Sequence, residues 1–197
     1  MMRYRQAELI LGNLAAAVDM LERSHDFATL VPEVRVNIAY ALPKASTPKQ
    51  VAAVDGRITV VRGMPRASGP LVWGVSDHMA RLILQARKYD PSINAGINFK
   101  CDEDIIKVVK QYAAEVSITF GWIDRTKEPP DIAGTDRSSM PWKVKYLVET
   151  YDVVPRLFFE GEGWGKEPLF VALGKDAVEV VKITLEIARR YHRLMKT

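Results

Sequence analysis

The stretch Ile93–Phe120, INAGINFKCDEDIIKVVKQYAAEVSITF, changes its hydrophobic period and predicts a strand, a helix and a strand in succession. The predicted strands are Ile93–Phe99 and Val116–Phe120, and the predicted helix is Glu103–Ala113. β-branched and apolar residues stand at neighbouring positions of these strands, as is typical of strands that are buried on both faces. The stretch therefore predicts an α/β domain in which helices cover a sheet.

The same alternation continues on both sides of this stretch. Residues 4–24 predict a long helix, and its apolar stripe at 4-3-4-3 spacing either docks on the sheet or pairs with another subunit. A helix over Met79–Ala86 has Ser76 as its expected N-cap, and a long loop spans Asp124–Ser139. Further strands are predicted at 35–41, 57–61, 154–160 and 169–173, and further helices at 140–150 and 176–194.

These elements predict a single three-layer α/β domain with a mostly buried mixed sheet, flanking helices and a long N-terminal helix. We expect residues 1–30 to form that amphipathic helix and residues 31–197 to form the domain proper. A homodimer is the corresponding expectation if the stripe of the first helix pairs with a second copy.

The composition limits the classes of protein to which this chain can belong. The chain has 197 residues and 22.2 kDa, with 48% hydrophobic and 26% charged residues, which excludes disordered and fibrous proteins. No apolar run approaches membrane-spanning length, and the N-terminus lacks the apolar block of a signal peptide. The single cysteine, Cys101, excludes a disulfide framework and a Cys-rich zinc site. We expect a soluble cytoplasmic domain without a metal site built from its own side chains.

The net charge of +4 is confined to the C-terminal end of the chain. Residues 182–197 contain five basic residues and one acidic residue, which equals the whole excess. Cations are stabilised at a helix C-terminus by the helix dipole, so this pattern favours a solvated helix end over a nucleic-acid surface. We therefore expect neither a nucleic acid nor a membrane as a partner.

Several residues are candidates for anion binding. Arg57 follows the turn at Asp55-Gly56, where it is either a solvated strand end or a charged fork for a phosphate or diphosphate. His78 is the second residue of the helix that follows Ser76, where it is either an ordinary surface residue or a hydrogen-bond donor to an anion. Free backbone N–H groups at this helix start attract anions, and the helix dipole favours a neutral imidazole. Arg81 lies three residues further along and can share the face of His78.

Two further patterns are weaker. The sequence from Gly161 to Pro168 has glycine at alternate positions, so Gly163, Gly165 and Lys166 either cradle a phosphate or form an ordinary hairpin loop. The spacing differs from a Walker A loop and from a Rossmann fingerprint. Asn37 and Asn98 interrupt apolar strands, and their amides either satisfy neighbouring loops or hold a polar ligand.

Taken together, these segments resemble the archaeal-type thiamine-phosphate synthase domain known as ThiN, from about residue 30 to the end of the chain. Each matching segment is short, but their order and spacing are specific. They are Val31–Glu33, Asn37–Ala41, Val51–Ile58, Gly74–Arg81, Tyr89–Ile93 with Asn98, and Gly165–Pro168. The region 124–160 resembles the family only loosely, so no site residue is assigned there.

The resemblance implies a transferase that joins 4-amino-2-methyl-5-hydroxymethylpyrimidine diphosphate to 4-methyl-5-(2-hydroxyethyl)thiazole phosphate. Arg57 would then clamp the departing diphosphate, and His78 would donate a hydrogen bond to it or orient the pyrimidine. Mg²⁺ would accompany the diphosphate, and no organic cofactor is implied. The family's domain is commonly fused behind a hydroxymethylpyrimidine (phosphate) kinase. The implied substrate-binding residues are Asn37, Ser76, Arg81, Asn98, Gly163, Gly165 and Lys166.

Two other classes of function stay open at this point. Related domains act as sensors of thiamine compounds behind a DNA-binding helix-turn-helix, and they are thought to have lost catalytic residues. The presence of Arg57 and His78, and a single helix before the domain, favour the enzyme. If the protein is a scaffold domain, the same residues are unrelated surface features. Thiamine precursors would then leave its melting temperature unchanged.

Overall fold

A computed structural model describes residues 2–132, 136–161 and 167–196. Within them, the helices are α1 (Met2–Glu22), α2 (Asp77–Ala86), α3 (Glu103–Glu115), α4 (Asp136–Tyr151) and α5 (Ala177–Leu194). The strands are β1 (Ile38–Ala41), β2 (Val51–Val54), β3 (Ile58–Val61), β4 (Met64–Ala67), β5 (Leu71–Trp73), β6 (Ala95–Lys100), β7 (Phe120–Ile123), β8 (Leu157–Glu160) and β9 (Leu169–Gly174). No helix in these ranges is long and apolar enough to cross a membrane.

Seven of the strands form one mixed sheet in the order β5-β2-β1-β6-β9-β8-β7. Neighbouring strands are antiparallel except β7 and β8, which are parallel, and β3 and β4 form a separate hairpin. The apolar faces of α1, α3 and α5 pack on one side of the sheet, and those of α2 and α4 pack on the other. The three-layer α/β prediction is therefore confirmed.

The apolar stripe of α1 docks inside the chain. Leu14, Ala17 and Leu21 are fully buried in the core that α1 shares with α5 and the sheet. The Asn13 side chain fixes this contact, because its Oδ1 accepts hydrogen bonds from the backbone N–H groups of Ala177 and Val178 at 3.0 and 3.2 Å. Most of the stripe therefore packs within the chain, and the homodimer stays a prediction.

Replacing Leu14 with alanine should lower the free energy of unfolding by about 2–5 kcal/mol, because a fully buried leucine is lost from the core. The matched control is Leu9→Ala on the same helix, where the side chain is 67% exposed and the change should be within about 0.5 kcal/mol. Urea unfolding followed by circular dichroism measures both variants. Equal effects would mean that α1 is not docked as described.

Parts of the sequence-based assignment are wrong. The predicted strand Val116–Phe120 is mostly a turn: the N–H of Ile118 bonds to the carbonyl of Ala113 and so closes α3, and Ser117 has φ 54°. The β-branched residues of this stretch fit a strand pattern. Its backbone N–H groups instead bond to the last carbonyls of α3 and end that helix. The pairs β2–β5 and β3–β4 were not predicted as strand pairs, and α4 begins before Met140.

Candidate active site

Two adjoining cavities open at one end of the sheet, on the side covered by α2 and α4. The inner cavity has a volume of about 230 Å³, and the outer cleft has a volume of about 670 Å³. The inner cavity has apolar walls from Leu169 and Val171 of β9, and polar or charged side chains line most of the rest of it. The residues that border both spaces are Val34, Asn37, Arg57 and His78.

The two strand asparagines lie side by side at this end of the sheet. Asn98 Oδ1 accepts the backbone N–H of Asn37 at 2.6 Å, and Asn98 Nδ2 donates to the carbonyl of Arg35 at 3.2 Å. Asn37 Nδ2 donates to the hydroxyl of Ser76 at 2.7 Å. Ser76 is the N-cap of α2 as predicted, but its side chain makes no capping hydrogen bond. These buried amides therefore tie β1, β6 and the start of α2 together.

This connection places His78 in the cavity wall. His78 is the second residue of α2, as the sequence predicts, and its side chain is partly buried. It lies close enough to Glu160 for the two side chains to interact electrostatically. Arg81 does not border either cavity; its Nε donates to Asp77 at 2.7 Å, and it lines a neighbouring groove with Lys88.

Arg57 stands at the rim between the two cavities. Gly56 and Arg57 both have left-handed backbone conformations, with φ of 73° and 72°. An arginine in this region is strained, and such strain is concentrated at functional sites. Its Nη1 donates to the carbonyl of Val34 at 2.6 Å. The described residues provide no carboxylate partner for this guanidinium, so its other N–H groups can bind an anion.

A buried charge cluster closes the floor of the inner cavity. Glu160, at the end of β8, accepts from Lys143 of α4 and from Arg125 Nη1, the latter at 3.1 Å. Arg125 also pairs with Glu128, whose other oxygen accepts from Ser139. The side chain of Lys143 is only 1% exposed. The structure thus brings together three charged residues, Arg125, Lys143 and Glu160, that sequence reasoning did not assign to the site.

The ionisation of Glu160 follows from these neighbours. Burial alone would raise the pKa of this carboxyl, but the positive charge of Lys143, with smaller contributions from His78 and Arg125, outweighs burial and lowers it. Glu160 is therefore a carboxylate at neutral pH, and both cationic side chains keep an ionic partner.

Acid should weaken the fold through this group. Because the pKa of Glu160 is lower in the folded state, its stabilising contribution is complete above the unfolded pKa of about 4.3 and is lost as the pH falls through the folded pKa. The wild type should lose up to about 1.4 kcal/mol per pH unit more than Glu160→Gln in this range. Urea unfolding between pH 6 and pH 3 compares the two, and parallel profiles would contradict the assignment.

Three further predicted site residues belong to the glycine-rich stretch between β8 and β9. Gly163, Gly165 and Lys166 lie outside the described residues. Within the ranges that are described, no group of three or more His, Cys, Asp or Glu side chains could hold a metal ion. The arrangement that is described can bind an anion at Arg57 and the start of α2, and a ring against Leu169 and Val171.

Comparison with known proteins identifies the family of this chain. The model of the family "Thiamine-phosphate synthase ThiN" matches residues 13–186. This chain belongs to the ThiN family. It is 36% identical over 184 residues to Thiamine-phosphate synthase ThiN of Methanothermobacter thermautotrophicus, covering 93% of this chain and 95% of that relative.

One further relative is a longer protein, and one similar solved structure is a domain of a longer protein by name. The chain is 38% identical to the bifunctional thiamine biosynthesis protein ThiDN of Methanocaldococcus jannaschii, covering 98% of this chain but 43% of that protein. It also resembles the crystal structure of the C-terminal domain of phosphomethylpyrimidine kinase, with a TM-score of 0.87, 30% identity, and 92% and 99% of the two chains covered. The ThiN domain therefore occurs both as a protein of this length and within a fusion.

Proposed function

We propose that this ThiN protein condenses 4-amino-2-methyl-5-hydroxymethylpyrimidine diphosphate with 4-methyl-5-(2-hydroxyethyl)thiazole phosphate, to give thiamine phosphate and diphosphate. The observation that carries the proposal is the pair of cavities that meet at Arg57 and His78. The diphosphate would lie in the outer cleft against Arg57 and the start of α2. The pyrimidine would enter the inner cavity and lie against Leu169 and Val171.

The reaction needs positioning and charge stabilisation more than acid–base chemistry. The bond between the pyrimidine methylene carbon and the diphosphate oxygen breaks, and its electron pair leaves with the diphosphate. The lone pair of the thiazole nitrogen then forms the new carbon–nitrogen bond, which makes the ring a thiazolium without a net proton transfer. Arg57 would stabilise the departing charge, and His78 would donate a hydrogen bond to the leaving group.

Magnesium is proposed as a companion of the substrate. Mg²⁺ commonly binds diphosphate oxygens and water, with few protein ligands, and this fits a described site without a metal-ligand cluster. Treating the protein and its substrates with excess chelator should lower turnover by at least about 10-fold, and added Mg²⁺ should restore it. Full activity in the presence of chelator would mean that the protein neutralises the charge of the diphosphate without Mg²⁺.

The names of the curated relatives favour an enzyme over a sensor. The direct test is product formation by the purified chain with both substrates and Mg²⁺, followed by oxidation and thiochrome fluorescence. We expect a signal above a control without enzyme. If an active reference synthase gives thiochrome fluorescence and this chain gives none but binds thiamine phosphate, the protein is a sensor instead. No fluorescence and no thermal shift with thiamine precursors would favour a scaffold.

A further inference from the structure

One oxygen of the buried Glu160 carboxylate has no partner among the described residues. The hydrogen bonds from Lys143 and from Arg125 both go to Oε2. Every fully buried side-chain oxygen or nitrogen in the described ranges has a hydrogen-bond partner, so the unpaired Oε1 must reach an open space. The side chain is nine-tenths buried, and the open space that it borders is the inner cavity.

Two other carboxylate or amide groups that line this cavity, those of Glu167 and Asn98, already accept hydrogen bonds. The two oxygens of Glu167 accept the backbone N–H groups of Glu33 and Val34 at 3.1 and 3.2 Å. Asn98 Oδ1 accepts the N–H of Asn37. The oxygen of the Asn37 side chain also lacks a partner among the described residues, but Asn37 borders both cavities and is neutral. Glu160 borders only the inner one.

We propose that Oε1 of Glu160 accepts a hydrogen bond from the exocyclic 4-amino group of the pyrimidine and so selects an aminopyrimidine as the substrate. This inference rests on the proposed function. Lys143 and Arg125 hold the other oxygen, so the carboxylate is fixed in orientation before the substrate arrives. The residue is thus a specificity determinant of the inner cavity.

The same contact strengthens during the reaction. As the carbon–oxygen bond breaks, positive charge spreads from the methylene carbon through the ring onto the 4-amino nitrogen, and its N–H becomes a stronger donor. A carboxylate that is held in place and accepts this N–H stabilises the charged state more than the ground state. Glu160 therefore acts on kcat as well as on the choice of substrate.

The test pairs a variant with a substrate analogue. Glu160→Gln keeps an acceptor oxygen but removes the charge. With the authentic substrate we expect kcat to fall about 10²-fold and KM to change little. With the analogue that carries hydrogen in place of the 4-amino group, the same substitution should lower the already slow rate by less than about 3-fold, because the contact is absent from the start. Equal losses with both substrates would overturn the proposal.

Two controls separate folding and alternative contacts from this effect. Glu160→Asp keeps the ionic partners of Lys143 and Arg125 and should also lose activity selectively with the aminopyrimidine. Asn37→Ala should lower the rates with both substrates by the same factor. A selective loss in Asn37→Ala, with none in Glu160→Gln, would assign the amino group to Asn37.

A measurement on the wild type alone needs no variant to fold. The pyrimidine monophosphate has no diphosphate leaving group and can serve as an inhibitor. Removal of its 4-amino group should weaken inhibition about 10-fold or more. Equal inhibition by the two monophosphates would contradict the inference even if the wild type makes thiamine phosphate, whereas an inactive wild type would contradict the proposed function instead.

Discussion

The Arg57→Ala protein is expected to lose about 10²-fold or more in kcat with its fold intact. The guanidinium lies at the junction of both cavities, and the described residues give it no carboxylate partner. A diphosphate leaving group would therefore lose its fixed positive charge at the moment when its own charge increases. The fold should survive, since the side chain is exposed and its one hydrogen bond among the described residues goes to the carbonyl of Val34.

The chain offers a matched control for this substitution. Arg62 is also exposed and has a left-handed backbone, with φ of 51° against 72° for Arg57. Arg62→Ala thus introduces the same residue into a similar backbone strain on the same hairpin. Steady-state kinetics with both substrates should show near-normal turnover for Arg62→Ala. If Arg57→Ala is as active as this control, Arg57 does not clamp the diphosphate.

His78→Ala is expected to cause the second large loss, again about 10²-fold in turnover. His78 stands at the start of α2, where free N–H groups and the helix dipole already favour an anion, and it borders both cavities. Removing the imidazole removes a hydrogen-bond donor to the leaving group without emptying the core, since the side chain is only partly buried.

His25 provides the control for His78. It is an exposed histidine that contacts His192 and borders neither cavity. His25→Ala should retain wild-type turnover at neutral pH. A His78→Ala protein that also keeps wild-type turnover would return His78 to the role of an ordinary surface residue at a helix start.

Local pattern was sufficient for the part of the site on α2. The apolar positions of Met79–Ala86 and a serine before them predict where the helix begins, which fixes His78 at its second position. The hydrogen-bond partner of the Ser76 side chain could not be predicted from this local pattern. Its hydroxyl accepts a hydrogen bond from Asn37, 39 positions earlier, and that partner is known only once β1 lies beside α2.

The buried charge cluster was missed because charged residues are usually on the surface. A weak signal was present: Lys143 lies between the apolar positions Met140, Val144 and Leu147 of one helical face, and Glu160 ends an apolar strand. Either position alone predicts a solvated charge. Only the parallel pairing of β7 and β8 brings Arg125 and Glu160 to the same end of the sheet beneath α4.

The most direct measurement for the whole account is the stoichiometry of the two products made by the purified wild-type chain. Diphosphate and thiamine phosphate are quantified in the same reaction with both substrates and Mg²⁺. The account predicts equal amounts of the two, both absent when the pyrimidine diphosphate is omitted. Diphosphate release without thiamine phosphate would identify a hydrolase, and the absence of both products would contradict the transferase assignment itself.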